Sequence, residues 1–457
     1  MPPVIARSFF RIQERLLGRP TFCLLGELEQ SDGWPREQLE ALQLARLRDL
    51  LGAAYAHTPY WREVMDRAGV RPEALASPAD LRRLPLLEKE TIRTRREEMA
   101  WRGAARRTWR GRTGGSTATP IEFYTSALRE AHISAARIRG HSWLGMQKGE
   151  REMYFWGSPV EITKQDTLKS ARDRLIGDGF TDGFHLSERD VPRLIDAWRR
   201  FRPKCIFCYP SSMVFVVRTA RRRGIDLTGL KRCGLAMVVT TAEILGPVRE
   251  EIAGALGVPV YDSYGLREVG LVGHECRHQT MHATEEQFIL ETIDPATLEP
   301  AEGEGELVVT SLISHPMPMI RYRTGDLVTL DPTPCRCGRT LQGVRLSGGR
   351  AVDFLVTSTG MWLSGGAFVW LLRDVPGLLK LQAQQERIGH IRLLVVPGED
   401  FHPAGEQMLR EGLRKWLRCD DQIEICEVAD IPACPSGKHR LVVSRVAEQM
   451  RREKGAG

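Results

Sequence analysis

Short apolar runs alternate with amphipathic stretches from about residue 205 onward. The runs at 205–209, 235–239 and 258–261 have the length of strands, and the stretches 214–223 and 244–256 between them have helical spacing. Strands joined through a helix form βαβ units, in which the strands lie parallel. This alternation predicts an α/β fold with a largely parallel sheet.

The N-terminal region has a different periodicity. Leu44, Leu47, Leu51 and Ala54 recur at helical spacing, and this pattern stops near Pro59 because proline disfavours helix in the residue before it. We therefore predict that the first hundred residues are helical.

Further strand-like segments follow the predicted parallel sheet. Segments 287–291, 305–310 and 327–330 are separated by Pro and Gly turns, which predicts an antiparallel or barrel-like subdomain. Segments 391–396 and 423–428 flank a helical stretch and predict a small α+β unit. A chain of 457 residues exceeds one compact core, so we expect an α/β multidomain protein with one large and one small domain.

The charge balance disfavours a nucleic-acid partner. Lys and Arg exceed Asp and Glu by 65 to 58, and the excess is spread along the chain. The densest basic stretch, 93–112, contains Trp101 and Trp109, as a phosphate-backbone binder would. A solvated arginine-rich face explains it as well, and we prefer that interpretation.

Cysteine usage and hydropathy indicate a cytoplasmic protein without a membrane partner. Ten irregularly spaced cysteines are too few for a disulfide framework. Arginines interrupt the apolar residues of the first twenty positions, unlike a signal peptide. The longest uncharged stretch, 354–372, is diluted by Ser, Thr and Gly, so we interpret it as soluble core.

Residues 112–120, with the sequence RTGGSTATP, form a candidate phosphate loop. Small and hydroxyl residues let backbone N–H and Ser/Thr donors approach phosphate oxygens. An ordinary turn has the same composition, and the segment lacks the Gly-Lys-Ser/Thr ending of the common nucleotide-binding loop. Taken alone, the loop is weak support for nucleotide binding.

Four more motifs follow this loop in order: YDSYGLRE at 261–268, RYRTGD at 321–326, GR at 349–350 and PSGK at 435–438. This succession resembles the adenylate-forming superfamily of acyl-CoA synthetases, and within it the phenylacetate–CoA ligase family and its capsule-biosynthesis relatives. The resemblance extends from about residue 40 to 445. It implies a large domain at 1–349 and a small mobile domain at 350–457.

The resemblance assigns ATP-binding roles. Thr113, Gly115, Ser116 and Thr117 would close over the phosphates, although Ala118 stands where the family usually has glycine, and alanine resists the positive φ that glycine allows.

Four downstream residues complete the implied nucleotide site. Tyr264 and Gly265 would flank the adenine, Glu268 would hold Mg²⁺, and Asp326 would accept hydrogen bonds from the ribose hydroxyls. Without the resemblance, the same residues would be a buried strand-end tyrosine, a surface glutamate and a turn aspartate.

Two catalytic residues are implied near the domain junction and the C-terminus. Arg350 would contact ribose or phosphate, with the hinge between Arg350 and Asp353, where Val352 replaces the usual polar residue. Lys438 would swing in with the small domain to meet the α-phosphate and carboxylate oxygens.

The resemblance also implies a structural zinc site at Cys276, His282, Cys335 and Cys337. Thiolates and imidazoles are ligands that tetrahedral Zn²⁺ prefers, and the alternative is unliganded thiols in loops. Cys205 and Cys208, in contrast, are predicted to lie in the core.

The acid-binding pocket is the part of the site that the sequence constrains least. Trp156, Gly157, Tyr209 and Ser211 fall where the family binds its carboxylate substrate, although each could serve packing. Glu243 lies near the region where the family usually places the acceptor and pyrophosphate. Aromatic walls suit an aryl or medium acyl group.

The implied reaction is AMP-forming activation of a small-molecule carboxylic acid by Mg²⁺·ATP, with coenzyme A as the acyl acceptor. An amine or hydroxyl acceptor, giving an amide or ester, is the alternative within the enzyme class. A non-catalytic nucleotide-binding homologue is a further alternative, favoured by Ala118 and Val352. The sequence is compatible with a homodimer but does not determine the oligomeric state.

Overall fold

The computed structural model describes most of the chain. The described residues are 2–105, 107–113, 121–156, 175–182, 189–242, 245–294, 297–348, 354–360, 362–364, 368, 371, 375–398, 401–417, 420–431 and 441–446. The chain divides into two compact units: the larger holds Met1–Arg112 and Ile121–Gly349, and most of the smaller is Arg350–Gly457. None of the described helices combines the length and apolar character needed to cross a membrane.

The first hundred residues are helical, as predicted. The helices are α1 (Pro3–Leu16), α2 (Thr21–Gln30), α3 (Arg36–His57), α4 (Pro59–Ala68) and α5 (Lys89–Met99), with single 3₁₀ turns at Ser31–Gly33, Pro72–Ala74 and Pro78–Arg83. Helix α3 ends where the sequence indicates, because Thr58 is extended before Pro59 and its N–H bonds the carbonyl of Ala54.

The parallel half of the large sheet confirms the predicted βαβ units. Its strands are β3 (Glu152–Trp156), β4 (Asp178–Asp182), β5 (Cys205–Cys208), β6 (Met237–Thr241) and β7 (Val260–Leu266). The covering helices are α6 (Ala127–Trp143), α7 (Val191–Phe201), α8 (Pro210–Arg222), α9 (Gly229–Arg232) and α10 (Arg249–Leu256). Helix α10 begins later than the sequence pattern indicates, because a 3₁₀ turn occupies Gly246–Val248. Cys205 and Cys208 are fully buried in β5, as predicted.

The antiparallel half continues the same sheet. Its strands are β8 (Gly270–Glu275), β9 (Met281–Ala283), β10 (Phe288–Ile293), β11 (Glu304–Ser311), β12 (Tyr322–Asp331) and β13 (Gly343–Gly348). Among the described residues the strand order is β10-β11-β12-β13-β9-β8-β7-β6-β5-β3-β4. The antiparallel pairing predicted for this region is confirmed, and β8 joins these strands to the parallel half through its antiparallel pairing with β7. The described strands show no closed barrel.

A separate hairpin precedes the large sheet in the chain. Strands β1 (Thr108–Arg112) and β2 (Glu122–Ser126) pair antiparallel, and the predicted phosphate loop connects them in sequence. The Ser126 hydroxyl then accepts a hydrogen bond from the Arg129 N–H and so caps the start of α6.

The smaller unit has the predicted α+β character. Its elements are β14 (Phe354–Val356), β15 (Trp362–Ser364), β16 (Leu378–Arg387), β17 (His390–Pro397), α11 (Pro403–Leu417), β18 (Gln422–Glu427) and β19 (Val442–Ser444). Strands β18, β17, β16 and β19 form a sheet in that order. Leu409 and Leu413 of α11 pack with Leu381 and Leu393 of the sheet in one buried cluster.

Helix α6 packs so closely on β8 that one position admits only glycine. A Cβ at Gly140 would lie 2.4 Å from Cγ of His274, whose ring is buried and whose Nδ1 lies 2.9 Å from the Glu275 carbonyl oxygen. Alanine at this position must push the helix away from the sheet or displace the ring.

We expect Gly140→Ala to lower the free energy of unfolding by about 1–3 kcal/mol, because overpacking outweighs the better helix propensity of alanine. The matched control is Gly52→Ala in α3, where an added Cβ meets nothing within 4 Å. That control should stabilise the protein by about 0.5–1 kcal/mol. Urea unfolding of both variants measures the contrast, and equal effects would contradict the packing argument.

Candidate active site

The sheet curls so that two distant strands meet. Tyr264 Oη of β7 donates to Oδ2 of Asp326 in β12 at 2.7 Å, and both side chains are buried. Three strands separate β7 from β12 in the sheet order, so a flat sheet would hold them about 19 Å apart. The hydrogen bond therefore requires a strong bend in the intervening strands.

The bend coincides with the weakest pairing in the sheet. Strand β9 has three residues, and it pairs with β13 through a single pair, Gly343 opposite His282. With so few ladder hydrogen bonds, the antiparallel half can turn toward β7.

Glu268 follows β7 and is held by the opposite strand. Its carboxylate is buried, and its Oε1 accepts a hydrogen bond from Tyr322 Oη of β12 at 2.8 Å. Glu268 thus lies one turn beyond Tyr264, and both side chains contact the same strand. Without the family resemblance, Glu268 would be interpreted as a surface glutamate. Its burial excludes that alternative.

A buried arginine supports the turn that carries Glu268. Arg129 Nη2 donates to the carbonyl oxygen of Arg267 at 2.8 Å, and its Nη1 donates to Thr125 Oγ1 at 3.2 Å. Burial lowers the pKa of the Arg129 guanidinium, and the carboxylates of Glu130 and Glu268 oppose that effect. Arg129 therefore brings positive charge close to Glu268 while fixing the preceding peptide.

Gly265 allows a close approach of two strands. A Cβ there would lie 2.9 Å from the carbonyl oxygen of Gly270 on β8. This position is compatible with its predicted role beside the adenine, since Gly265 itself has no side chain that could obstruct a ligand.

Two of the predicted acid-binding residues, Trp156 and Tyr209, lie at the same edge of the parallel half. Trp156 is the last residue of β3, and Tyr209 directly follows β5. The register pairs Phe155 with Cys208 and Thr241 with Ser263, so these strand ends are aligned with the Tyr264 end of β7. Ligands of open α/β sheets bind at the carboxyl ends of the strands, which is where the predicted residues converge.

Several predicted residues lie outside the described part of the chain. They are Gly115, Ser116, Thr117, Ala118, Gly157, Glu243, Arg350, Val352, Asp353 and Lys438. Ser211 lies in α8, but its side chain is also outside the described set, as is that of Trp156. Thr113 is described and follows β1. The roles of all these residues stay predictions.

The structure brings the four predicted metal ligands together. One ligand atom from each of Cys276, His282, Cys335 and Cys337 lies within 4.8 Å of every other. The Sγ atoms of Cys276 and Cys335 are 3.8 Å apart, and Cys337 Sγ is 3.2 Å from His282 Nε2. His282 Nδ1 lies 3.0 Å from the Leu341 carbonyl oxygen, which can only accept, so Nδ1 carries the proton and Nε2 is free to bind a metal.

A second polar group lies beside the site on β7. Asp262 Oδ1 accepts from Thr240 Oγ1 at 2.8 Å, and the Asp262 N–H donates to Glu275 Oε2 at 2.8 Å. Arg249 donates twice to Glu275, at 2.7 and 2.8 Å. Burial and the nearby Glu275 carboxylate raise the pKa of Asp262 to about 8.

Sequence reasoning missed three residues of this region. Tyr322 belongs to the RYRTGD motif at 321–326, but its hydrogen bond to Glu268 depends on the curl of the sheet. Arg129 gave no signal, since it lies 138 residues from the carbonyl it binds. Ala242, at the end of β6, has a φ of 68°, a strained conformation that is common near functional sites.

Comparisons with known proteins identify relatives of the chain. No family model matches the chain. It is 32% identical over 343 residues to a phenylacetate–coenzyme A ligase of Thermus thermophilus, covering 70% of this chain and 72% of that protein. It is 28% identical over 460 residues to a phenylacetate–coenzyme A ligase of Aromatoleum evansii, covering 92% of this chain and 97% of that protein.

A solved structure shares the fold. A 2-hydroxyisobutyryl-CoA ligase, crystallised in complex with 2-HIB-AMP and CoA, matches with a TM-score of 0.62 at 19% identity, over 94% of this chain and 94% of that chain. The match spans both compact units of this chain, so the division into a larger and a smaller unit occurs within a shared fold.

The raised pKa of Asp262 predicts a specific pH dependence. Because the folded state binds this proton more tightly than the unfolded state, the contribution of Asp262 to stability is present below about pH 4 and is lost as the pH rises toward 8. We expect the unfolding free energy of the native protein to fall relative to that of Asp262→Asn as the pH rises from 5 to 8.

The matched control is Asp226→Asn on the surface. Hydrogen bonds from Thr228 and Arg232 lower the pKa of Asp226 to about 2, so its contribution should stay constant over the same range. Urea unfolding at several pH values tests both variants. A constant difference for Asp262→Asn would show that this carboxyl titrates normally.

Proposed function

Because the chain belongs to the phenylacetate–coenzyme A ligase family of adenylate-forming enzymes, we propose that it activates a carboxylic acid with ATP and transfers the acyl group to coenzyme A. A carboxylate oxygen of the acid attacks the α-phosphorus of ATP, and pyrophosphate leaves. The thiol sulfur of coenzyme A then attacks the acyl carbonyl carbon, and AMP leaves. We place this reaction in the cytoplasm, where ATP and coenzyme A are available.

One observation carries the assignment of the nucleotide site: the curl of the sheet brings Tyr264, Glu268 and Asp326 together at the carboxyl edge of the parallel strands. In this proposal the Tyr264 ring and Gly265 flank the adenine. Asp326 accepts hydrogen bonds from the ribose hydroxyls, and the bond from Tyr264 fixes the orientation of its carboxylate.

Glu268 fits a magnesium ligand. Tyr322 binds one of its carboxylate oxygens, which leaves the other oxygen for a hard cation. Mg²⁺ bound there would neutralise negative charge that develops on the phosphates. Arg129 holds the peptide before Glu268 and so positions the carboxylate.

The remaining roles are proposed from the resemblance. Thr113, together with residues 115–117, closes over the phosphates, and Lys438 meets the charge that accumulates during attack. Arg350 marks the junction between the large domain, 1–349, and the small mobile domain, 350–457. Reorientation of the small domain would replace the adenylation arrangement with one that presents the acceptor.

The acid is proposed to be an aryl or medium acyl carboxylate. The positions of Trp156 and Tyr209 at the carboxyl edge support an aromatic pocket wall, next to the nucleotide site. An amine or hydroxyl acceptor would leave the adenylation step unchanged, so the acceptor is tested after that step is established.

The first test is carboxylate-dependent exchange of labelled pyrophosphate into ATP without an acceptor, across a panel of aryl and alkyl acids. We expect exchange with one class of acid. Glu268→Gln should slow the exchange about 100-fold or more, since a bound metal supplies several kcal/mol of charge stabilisation. Tyr322→Phe should slow it about tenfold, chiefly by weakening the apparent affinity for Mg²⁺.

Matched variants complete this test. Tyr55→Phe removes an exposed hydroxyl, bonded to Asp66, and should leave exchange unchanged. Lys438→Ala should abolish exchange while ATP binding persists. Measurable ATP binding with no exchange for any acid would instead support a non-catalytic nucleotide-binding homologue.

The Cys/His cluster fits a structural Zn²⁺. Two Zn–S bonds of about 2.3 Å at a tetrahedral angle place their sulfurs about 3.8 Å apart, which is the separation of Cys276 and Cys335. All four ligand positions belong to protein side chains, so no position is left for an activated water. Zinc would link β9 to the loop between β12 and β13, at the bend where strand pairing is weakest.

Zinc removal should therefore loosen the bend. We expect about one zinc per chain by elemental analysis, and we expect Cys335→Ser with Cys337→Ser to lose it and to melt at lower temperature. Loss of a ligand present at 1,000 times its Kd removes about 4 kcal/mol of stability.

The control is Cys426→Ser, a half-buried cysteine of the smaller unit. It should keep the metal and the melting temperature. ATP affinity is a second readout, since Tyr264 and Asp326 meet only if the bend is maintained. A metal-free native protein with unchanged melting and ATP affinity would contradict the zinc proposal.

A further inference from the structure

Helix α1 presents two distinct faces to its surroundings. Ala6, Phe10 and Glu14, spaced four residues apart, are buried against the larger unit. The opposite side is exposed, although it is rich in apolar residues. A helix that covers the body of the protein has no need for a second apolar face.

The exposed apolar side chains form a continuous stripe. Ile5, Phe9, Ile12 and Leu16 follow each other at intervals of four, three and four residues, which places them on one side of a helix. Their exposed fractions are 46%, 43%, 54% and 81%. We call these four residues the α1 stripe.

A row of arginines runs beside the α1 stripe. Arg7, Arg11 and Arg15 are spaced four residues apart. The guanidinium carbons of Arg7 and Arg11 lie 5.7 and 4.6 Å from the ring centroid of Phe22 in α2, and Arg11 and Arg15 are nevertheless exposed. The only acidic residue before Glu27 is Glu14, which is buried and accepts hydrogen bonds on the protein side. The exposed surface of α1 therefore combines apolar side chains with positive charge that no acidic residue of the helix offsets.

The helix packs directly on the larger unit through its buried face. Phe10 packs with Leu24, Leu28 and Ala135, and Lys148 lies 4.7 Å from the Phe10 ring centroid. A Cβ at Gly149 would lie 2.2 Å from the Pro3 carbonyl oxygen, so the start of α1 rests directly on this glycine.

We propose that α1 is a docking surface for an anionic lipid membrane. A helix in the membrane interface inserts an apolar face and places cationic side chains at the headgroups, and the α1 stripe with its arginine row has this arrangement. A second copy of the chain suits this surface less well, because its own α1 has no exposed carboxylate to meet the arginines. This docking replaces the expectation of no membrane partner, and it needs no membrane-spanning helix, none of which is found among the described residues.

The test is co-sedimentation of the full-length protein with vesicles of phosphatidylcholine alone and of phosphatidylcholine with phosphatidylglycerol at 7:3. We expect partition into the anionic vesicles to be at least tenfold stronger at roughly 50 mM salt, and to weaken at roughly 500 mM. Ile12→Ser with Leu16→Ser should reduce it about tenfold. Arg11→Gln with Arg15→Gln should remove the preference for anionic lipid.

Matched variants on other surfaces act as controls. Ile388→Ser with Met408→Ser removes exposed apolar side chains of the smaller unit, and Arg193→Gln with Arg200→Gln removes exposed charges of α7. Both should bind vesicles as the native protein does. All variants should keep the circular dichroism spectrum, the melting temperature and pyrophosphate exchange, because α1 lies outside the proposed catalytic residues.

Three outcomes would overturn the proposal. The first is equal or absent binding to both vesicle types. The second is unchanged binding of the Ile12→Ser, Leu16→Ser protein. The third is a native dimer that this variant converts to a monomer without any vesicle binding, which would identify the α1 stripe as a contact between two copies of the chain.

Discussion

The single residue pair that joins β9 to β13 is the constraint on which the rest of the larger unit depends. Because Gly343 and His282 are the only ladder pair between β13 and β9 among the described residues, the sheet is free to bend there. The bend brings β12 against the end of β7, and only then can Tyr264 bond Asp326 and Tyr322 bond Glu268. The proposed zinc ligands cluster at the same junction, where they would compensate for the missing ladder.

Buried ion pairs hold the helical layer on this bent sheet. Arg139 and Glu286 are 2.6 Å apart and fully buried, and Arg139 also donates to the Leu28 carbonyl of α2. Arg321 pairs with Glu291 and donates to the Leu84 carbonyl. Buried pairs of this kind add little net stability, since desolvation offsets their attraction. These pairs instead fix the position of the N-terminal region on the sheet, because each connects one of its carbonyl groups to the antiparallel half.

Local sequence patterns predicted the helices and strands, but not the tertiary contacts between them. Strands β5 to β7 and the end of α3 were predictable because their signals lie within a few consecutive residues. The clustering of Cys276, His282, Cys335 and Cys337 was predictable because their chemistry is distinctive and the family resemblance grouped them. The bond from Tyr322 to Glu268 spans 54 residues, and that from Arg129 to Arg267 spans 138. Such contacts depend on the bend, and no residue pattern specifies the degree of a bend.

The partner of Glu268 distinguishes it from the structural carboxylates around it. Glu275, Glu286 and Glu291 are each neutralised by an arginine within 3.1 Å, so their charge is already compensated within the fold. Glu268 takes its hydrogen bond from the neutral Tyr322 hydroxyl and forms no ion pair with any described residue. The neutral tyrosine fixes the carboxylate, and the buried Arg129 guanidinium interacts with it electrostatically without forming a direct ion pair. A buried carboxylate without a direct ion-pair partner among the described residues favours a bound cation, and this is the physical argument for proposing Mg²⁺ at Glu268 rather than at its neighbours.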